Sequence, residues 1–122
     1  HWECSPEFKR AAYAYILCMP GVPCVYWPDC FDWGFEEQVR VLLGARQRAQ
    51  IVAASEWIDL TPDHSGFAAM VCDNHGEARL ALAIHSDWRG PGEGDGWQRV
   101  FGQPGDVCVW ERVRQGSTLR RR

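Results

Sequence analysis

Four carboxylates lie close together in the sequence and are its clearest candidates for acid–base chemistry. They are Asp29, Asp32, Glu36 and Glu37. A pair of carboxylates can divide the roles of proton donor and proton acceptor when the fold holds both at one site. All four belong to one loop and the first turn of the next helix, where the helix dipole favours acidic side chains. We interpret them as solvated charges, with a catalytic pair as the alternative.

The four histidines are scattered and form no recognisable catalytic pattern. They are His1, His64, His75 and His85. A Ser-His-Asp triad or a metal site requires partners that this spacing does not identify. We therefore predict that the histidines are surface residues.

The six cysteines are irregularly spaced and include no C-x-x-C pair. Cys18 falls in a helical pattern, and Cys72 and Cys108 fall in strand patterns, where a thiol packs as a small hydrophobic group. We predict reduced thiols in the core. Disulfide bonds and a metal site remain alternatives, although the spacing is unlike that of zinc ligands.

A helix is predicted at the start of the chain. Ser5, Pro6 and Glu7 provide a hydroxyl N-cap, a proline at the first helical position and an acid in the first turn. The helix is predicted to run to Met19 and to stop at Pro20. Because apolar residues occur on nearly every face, we expect it to be covered on more than one side.

Residues 22–27 are predicted to form a buried parallel strand. The segment is short, β-branched and aromatic, without alternating polar residues. A second amphipathic helix is predicted over 35–48. Since a single parallel strand would be left without a partner, and folded proteins avoid unpaired edges, residues 1–50 look like the closing unit of a larger α/β barrel.

From residue 52 onward the apolar residues alternate, as in β-strands. Leu80, Leu82 and Ile84 show the alternation most clearly, and residues 73–76 have the composition of a turn. The candidate strands are 56–60, 66–72, 78–85, 97–102 and 106–112. We therefore predict a five-stranded antiparallel sheet with one buried face, and an α+β chain.

Length and charge exclude several classes of protein. The chain has 122 residues, whereas a complete (β/α)8 barrel takes roughly 250. Its net charge is −3, and residues 1–112 hold nine basic and all 16 acidic residues, which argues against nucleic-acid binding. The basic residues of 114–122 are expected to be solvated and disordered. The longest apolar run, 11–21, is too short to span a membrane. Because the chain starts at His1 without a signal sequence, we expect a cut end.

Several motifs occur in a specific order along the chain. They are His1-Trp2, YAYIL at 13–17, PGVPCVY at 20–26 and FDWGF at 31–35. In this order they resemble the C-terminal portion of plant-type α-amylases of glycoside hydrolase family 13. The resemblance continues to the WERV sequence at 110–113, which is similar to the last strand of that family.

The resemblance implies a fold and an activity. Residues 1–50 would be the seventh helix, eighth strand and eighth helix of a TIM (β/α)8 barrel, and 51–113 a C-terminal β-sheet domain. The implied reaction is endo-hydrolysis of α-1,4-glucosidic bonds in starch with retention of configuration.

The three catalytic carboxylates of the family lie upstream, the last of them in a DNHD motif just before His1, so no catalytic residue is expected in this chain. The calcium sites of the family also map mainly upstream, and we expect no metal ligand here. The expected partners are an α-glucan and the upstream barrel portion of the same polypeptide.

Two tryptophans are candidate glucan contacts on the basis of this resemblance. Trp2 matches a family position near the substrate cleft. Trp88 aligns with an aromatic residue that some relatives use in surface starch binding, and its loop setting predicts exposure. The tryptophans predicted to lie in the core are Trp33, Trp57, Trp97 and Trp110. A different possibility is that residues 51–113 act as a stand-alone carbohydrate-binding β-module.

Overall fold

The computed structural model describes residues 5–26, 28–29, 34–62, 65–92 and 94–113. Within them two helices precede a five-stranded sheet, so the α+β class is confirmed. The helices are α1 (Pro6–Cys18) and α2 (Glu36–Ala49), and the strands are β1 (Trp57–Asp59), β2 (Phe67–Cys72), β3 (Ala78–Ile84), β4 (Trp97–Gly102) and β5 (Val107–Arg112). Each element lies within one residue of its predicted bounds. In the described ranges, no helix has the length and hydrophobicity needed to cross a membrane.

The signals at the start of α1 act as predicted. The hydroxyl of Ser5 accepts a hydrogen bond from the backbone N–H of Phe8 at 3.1 Å. Pro6 lies in the first turn. The N–H groups of that turn have no acceptor within the helix, so the N–H that proline lacks is not needed there. The side chains that α1 buries are Tyr13, Ala14, Leu17 and Cys18.

The strand predicted at 22–27 is wrong for residues 22–26, which belong to no strand. A strand exists only through hydrogen bonds to a neighbour. The five described strands pair with one another in a separate sheet and leave no partner for this segment. The apolar, β-favouring composition of this segment indicated a strand, but composition does not show whether a neighbouring strand is present to pair with it.

The five strands form one antiparallel sheet in the order β1-β2-β3-β5-β4. In the register of β3 with β5, Leu82 lies opposite Val109 and Ala83 lies opposite Cys108. Adjacent residues of a strand point to opposite faces. The face with Leu82 and Val109 packs against both helices and forms the main core. The opposite face, here called the outer face, carries a second cluster of Ala81, Ala83, Cys108 and Trp110.

The turn between β2 and β3 has the predicted chemistry. Asp73 accepts hydrogen bonds from the backbone N–H groups of His75 at 2.8 Å and Glu77 at 3.0 Å. Its second carboxylate oxygen accepts from Arg79 at 3.2 Å. Burial acts to raise the pKa of Asp73, but these bonds outweigh it and hold the pKa below its usual range.

Arg46 joins the two helices from inside the main core. It lies on α2, is only 6% exposed and donates hydrogen bonds to three backbone carbonyls in the last turn of α1 and the three residues after it. These belong to Leu17 at 2.9 Å, Met19 at 2.7 Å and Gly21 at 2.7 Å. A guanidinium group thus replaces the helical N–H donors that the last carbonyls of a helix lack.

Candidate functional site

The outer face of the sheet is partly covered by the loop between β3 and β4. Trp88 in this loop and Trp97 at the start of β4 pack on the outer-face cluster. The rings of Trp88 and Trp110 meet edge to face, with centroids 5.5 Å apart and an interplanar angle of 68°. The expectation of one buried face is therefore incomplete, since three tryptophans shelter part of the second.

Hydrogen bonds hold the first part of this loop. The backbone N–H of Asp87 donates to the hydroxyl of Ser65 at 2.8 Å. The backbone N–H of Trp88 donates to the hydroxyl of Ser86 at 3.0 Å, and Ser86 is itself buried. These contacts fix the backbone that carries Trp88 and so orient its ring towards Trp110.

Gly90 allows the loop to lie directly on the ring of Trp110. Its φ is +104°, and a Cβ atom at this position would come within 2.5 Å of the Cζ2 atom of Trp110. A side chain here requires the ring or the loop to move and also a backbone conformation that is unfavourable outside glycine.

Gly90→Ala is expected to lower the free energy of unfolding by about 2 kcal/mol, because it combines overpacking with backbone strain. Urea denaturation followed by tryptophan fluorescence measures the loss. Gly92→Ala is the matched control, since no atom lies within 4 Å of its Cβ position, and we expect a change within about 0.5 kcal/mol. Equal losses in the two variants would contradict the assigned contact.

An open groove of about 680 Å³ lies next to the ring of Trp110. Its wall includes Trp97 and Trp110, and its polar lining side chains are Arg89, Gln98 and Arg99. Indole rings provide flat apolar surfaces, and guanidinium and amide groups provide hydrogen-bond donors. This combination suits a ligand that has a flat apolar face and oxygen acceptors at its rim, as a sugar ring does.

The tryptophan predictions have mixed outcomes. Trp88 was expected to be exposed, but its side chain is half-buried because one edge of its ring packs against Trp110. Trp110 is in the core at 8% exposed, whereas Trp57 is 44% exposed because β1 is an edge strand. Trp97 is half-buried. Trp2 and Trp33 lie outside the described residues.

The interpretation of Asp29 as a solvated charge is wrong. Asp29 is 4% exposed and accepts hydrogen bonds from Lys9 at 2.7 Å and from the hydroxyl of Tyr13. Glu36 and Glu37 are exposed, as predicted, and Asp32 lies outside the described residues. Asp29 has its partners on α1, and those partners are a cation and a phenol, which is an arrangement for structural support.

His75 and His85 are exposed, as predicted, while His1 and His64 lie outside the described ranges. Cys18, Cys72 and Cys108 are buried free thiols, as predicted, and Cys24 is free but exposed. Burial raises the pKa of Cys18 to about 12 and that of Cys108 to about 11, so both thiols stay protonated at neutral pH.

The described residues do not fit a calcium site. Within 5–26, 28–29, 34–62, 65–92 and 94–113, no group of three or more His, Cys, Asp or Glu side chains is placed to hold a metal ion. Calcium prefers six to eight oxygen ligands, and the carboxylates of Asp29 and Asp73 are instead bonded to Lys9 and Arg79.

Comparison with known proteins shows clear relatives. No protein-family model matches the chain. It is 36% identical over 96% of its length to a glucan 1,4-alpha-maltotetraohydrolase of Roseateles saccharophilus, and 36% identical over 90% of its length to one of Stutzerimonas stutzeri. It is 27% identical over 92% of its length to the alpha-amylase type B isozyme of Hordeum vulgare.

The chain is therefore similar, over most of its length, to enzymes whose names describe the hydrolysis of glucans. It is also similar to plant proteins named alpha-amylases, as the motif order predicted. The chain spans about a fifth of the two maltotetraohydrolases, 21% and 20% of their lengths. It spans 70% of the barley protein.

Proposed function

We propose that the chain is the C-terminal portion of an α-amylase that hydrolyses internal α-1,4-glucosidic bonds of starch and related glucans. The observation that carries the proposal is similarity to two glucan 1,4-alpha-maltotetraohydrolases and an alpha-amylase across 90% or more of the chain. The order of the motifs supports the same assignment, because several separate stretches have to coincide.

In this proposal the catalytic carboxylates come from the upstream part of the polypeptide. A retaining glycosidase needs two carboxyl groups about 5 to 5.5 Å apart, one as nucleophile and one as acid and base in a double displacement. Asp29 is held by Lys9 and Tyr13, and Asp73 is held by its turn and Arg79. Neither carboxylate is therefore free to act as a nucleophile.

Residues 1–50 are proposed to complete a (β/α)8 barrel whose other strands lie upstream. The apolar surface of this region supports the idea, because several side chains that would be covered in a barrel are exposed here. Phe8 and Tyr15 on α1 are 60% and 46% exposed, and Val22 and Tyr26 in the unpaired segment are 85% and 59% exposed. Residues 51–113 form the accessory sheet domain in this proposal, 114–122 a basic tail, and calcium belongs to the upstream part.

The outer-face groove is proposed as the place where this chain contacts glucan. Trp97, Gln98 and Trp110 line it, and Trp88 packs edge to face on Trp110. Trp2 is proposed as a second glucan contact, near the cleft of the intact enzyme, on the motif match alone.

The purified 122-residue chain is expected to bind insoluble starch without hydrolysing it. Retention on starch and release of reducing sugar are the two measurements. Trp88→Ala is expected to weaken retention about tenfold, while Trp57→Ala, an exposed tryptophan on the far edge of the sheet, leaves it unchanged. Hydrolysis by the chain, after contaminating amylase has been excluded, would refute the upstream location of the carboxylates. Absence of starch binding would refute the glucan contact.

A stand-alone carbohydrate-binding β-module is the second candidate. The groove favours it, because the described lining residues all come from β4, β5 and their adjoining loops and need no barrel. The nucleotide sequence upstream of His1 separates the candidates. A DNHD motif and two earlier carboxylate motifs support the amylase, and their absence supports the module.

A further inference from the structure

The basic side chains of the described residues fall into three groups. Five have a carboxylate partner, namely Lys9, Arg10, Arg40, Arg48 and Arg79. Arg46 instead donates to buried backbone carbonyls. Three more arginines, Arg89, Arg99 and Arg112, have no carboxylate partner in the part of the chain that the structure describes.

Two of these arginines line the outer-face groove, and the third, Arg112, lines a neighbouring pocket. Arg89 and Arg99 line the groove beside Trp97 and Trp110. Arg112 lies directly opposite Trp97 in the register of β4 with β5. Because opposite residues of an antiparallel pair share a face, the guanidinium of Arg112 is on the same side of the sheet as the tryptophans.

Within the described parts of the chain, most of the donors of these arginines have no hydrogen-bond partner. Arg99 makes one hydrogen bond, to the side-chain oxygen of Gln103 at 3.1 Å. Arg112 makes one through Nε, to the backbone carbonyl of Asp95 at 2.9 Å. A guanidinium carries five N–H donors. The described residues that line the groove include no carboxylate, so nothing among them neutralises the positive charge.

A cationic groove is unexpected on this chain, whose net charge is −3. Five other basic residues of the described chain are paired with carboxylates, whereas the described lining of the groove has none. Guanidinium groups bind phosphate oxygens in a bidentate manner, while the indole rings beside them suit a sugar face. The two chemistries together fit a ligand that is both a sugar and an anion.

We infer that the groove binds phosphate monoester groups carried by an α-glucan, with Arg89 and Arg99 contacting the phosphate and the tryptophans contacting the sugar. This inference rests on the proposed glucan contact and adds a preference for phosphorylated chains. A polynucleotide also offers phosphates and flat rings. It is disfavoured because a continuous polyanion would be repelled by the acidic remainder of the chain.

Affinity electrophoresis of the 122-residue chain tests the inference. The gels contain either naturally phosphorylated amylopectin or the same polymer after phosphatase treatment. We expect the phosphorylated polymer to bind about tenfold more tightly, as one charge-assisted hydrogen bond can provide. The preference is expected to disappear in the Arg89→Gln/Arg99→Gln double variant and at high salt. It is expected to persist in Arg40→Gln, which removes an exposed positive charge from α2, away from the groove.

The outcomes separate this inference from the proposed function. Equal retardation by both polymers overturns the phosphate preference and leaves the glucan contact in place, whereas no retardation by either polymer overturns both. A preference that survives in the double variant overturns the role of the two arginines. Tighter binding of a single-stranded oligonucleotide than of phosphorylated amylopectin overturns the assignment to glucan. Inorganic phosphate that abolishes retardation by both polymers equally marks a free-phosphate site and also overturns it.

Discussion

Arg46→Leu is expected to lower the free energy of unfolding by about 3 kcal/mol. The guanidinium donates to the carbonyls of Leu17, Met19 and Gly21 at 2.7–2.9 Å, and leucine leaves all three without this donor. A hydrogen bond from a charged group is worth about 1.5 to 3 kcal/mol, and a buried acceptor left without a donor has its own desolvation cost. Leucine retains apolar contact with the core, which offsets part of that loss.

Urea denaturation measures this effect, with Arg40→Leu as the control on the same helix. Arg40 forms an exposed ion pair with Glu37, and its side chain is 67% exposed, so we expect a change within about 0.5 kcal/mol. A loss for Arg46→Leu no larger than the control would show that the three carbonyls find other donors. Hydrogen exchange at the end of α1 is expected to rise in the Arg46 variant only, because that end is where the hydrogen bonds are lost.

Local signals were enough to predict the helices and strands. Ser5 and Pro6 set the start of α1, and the alternation of Leu80 and Leu82 set β3, because capping and side-chain periodicity act over a few residues. The segment 22–27 failed as a strand for the opposite reason. Pairing depends on a second strand, and a sequence pattern does not state where that strand is.

Buried polar side chains were not predictable in the same way. Asp29 was interpreted as a solvated charge and Arg46 was not singled out, since charged residues are rarely buried. Their burial depends on partners about 20 to 30 positions away: Lys9 for Asp29, and Leu17 and Gly21 for Arg46. Only the fold brings such groups together.

The groove was predictable only in part. The motif match indicated Trp88, but the contact of Trp88 with Trp110 and the close approach of Gly90 follow from the loop conformation. Arg89 and Arg99 were counted in the net charge and not as a group. They lie ten positions apart and meet at the groove because the β3–β4 loop folds over the sheet. In the sequence, the position of Arg89 next to a glycine-rich loop was the signal that could have indicated the groove.

Asp29 connects the segment after α1 to α1 itself. Its carboxylate accepts from the Lys9 ammonium at 2.7 Å and from the Tyr13 hydroxyl, and that hydroxyl also accepts from the backbone N–H of Tyr26 at 3.1 Å. The side chains of Lys9 and Asp29 are 17% and 6% exposed. Asp29→Asn keeps the shape but removes the negative charge that lies 2.7 Å from the largely buried Lys9 ammonium, so we expect a loss of about 3 kcal/mol at neutral pH.

The loss caused by Asp29→Asn is expected to shrink in acid. Burial acts to raise the pKa of Asp29, but the hydrogen bonds from Lys9 and Tyr13 and the charge of Lys9 outweigh it and hold the pKa below its usual range. A carboxyl group with a lowered pKa in the folded state stabilises the fold fully above its unfolded pKa, about 3.9. That stabilisation is lost as the pH falls through the folded pKa. Urea denaturation of the native chain and of Asp29→Asn, from neutral pH downwards, is expected to show the difference in their free energies of unfolding narrowing below about pH 4.

Glu37→Gln, which removes an exposed partner of Arg40, is the control. A difference between the native chain and Asp29→Asn that stays constant down to strongly acidic pH would rule out the ionised carboxylate as the source of the stabilisation.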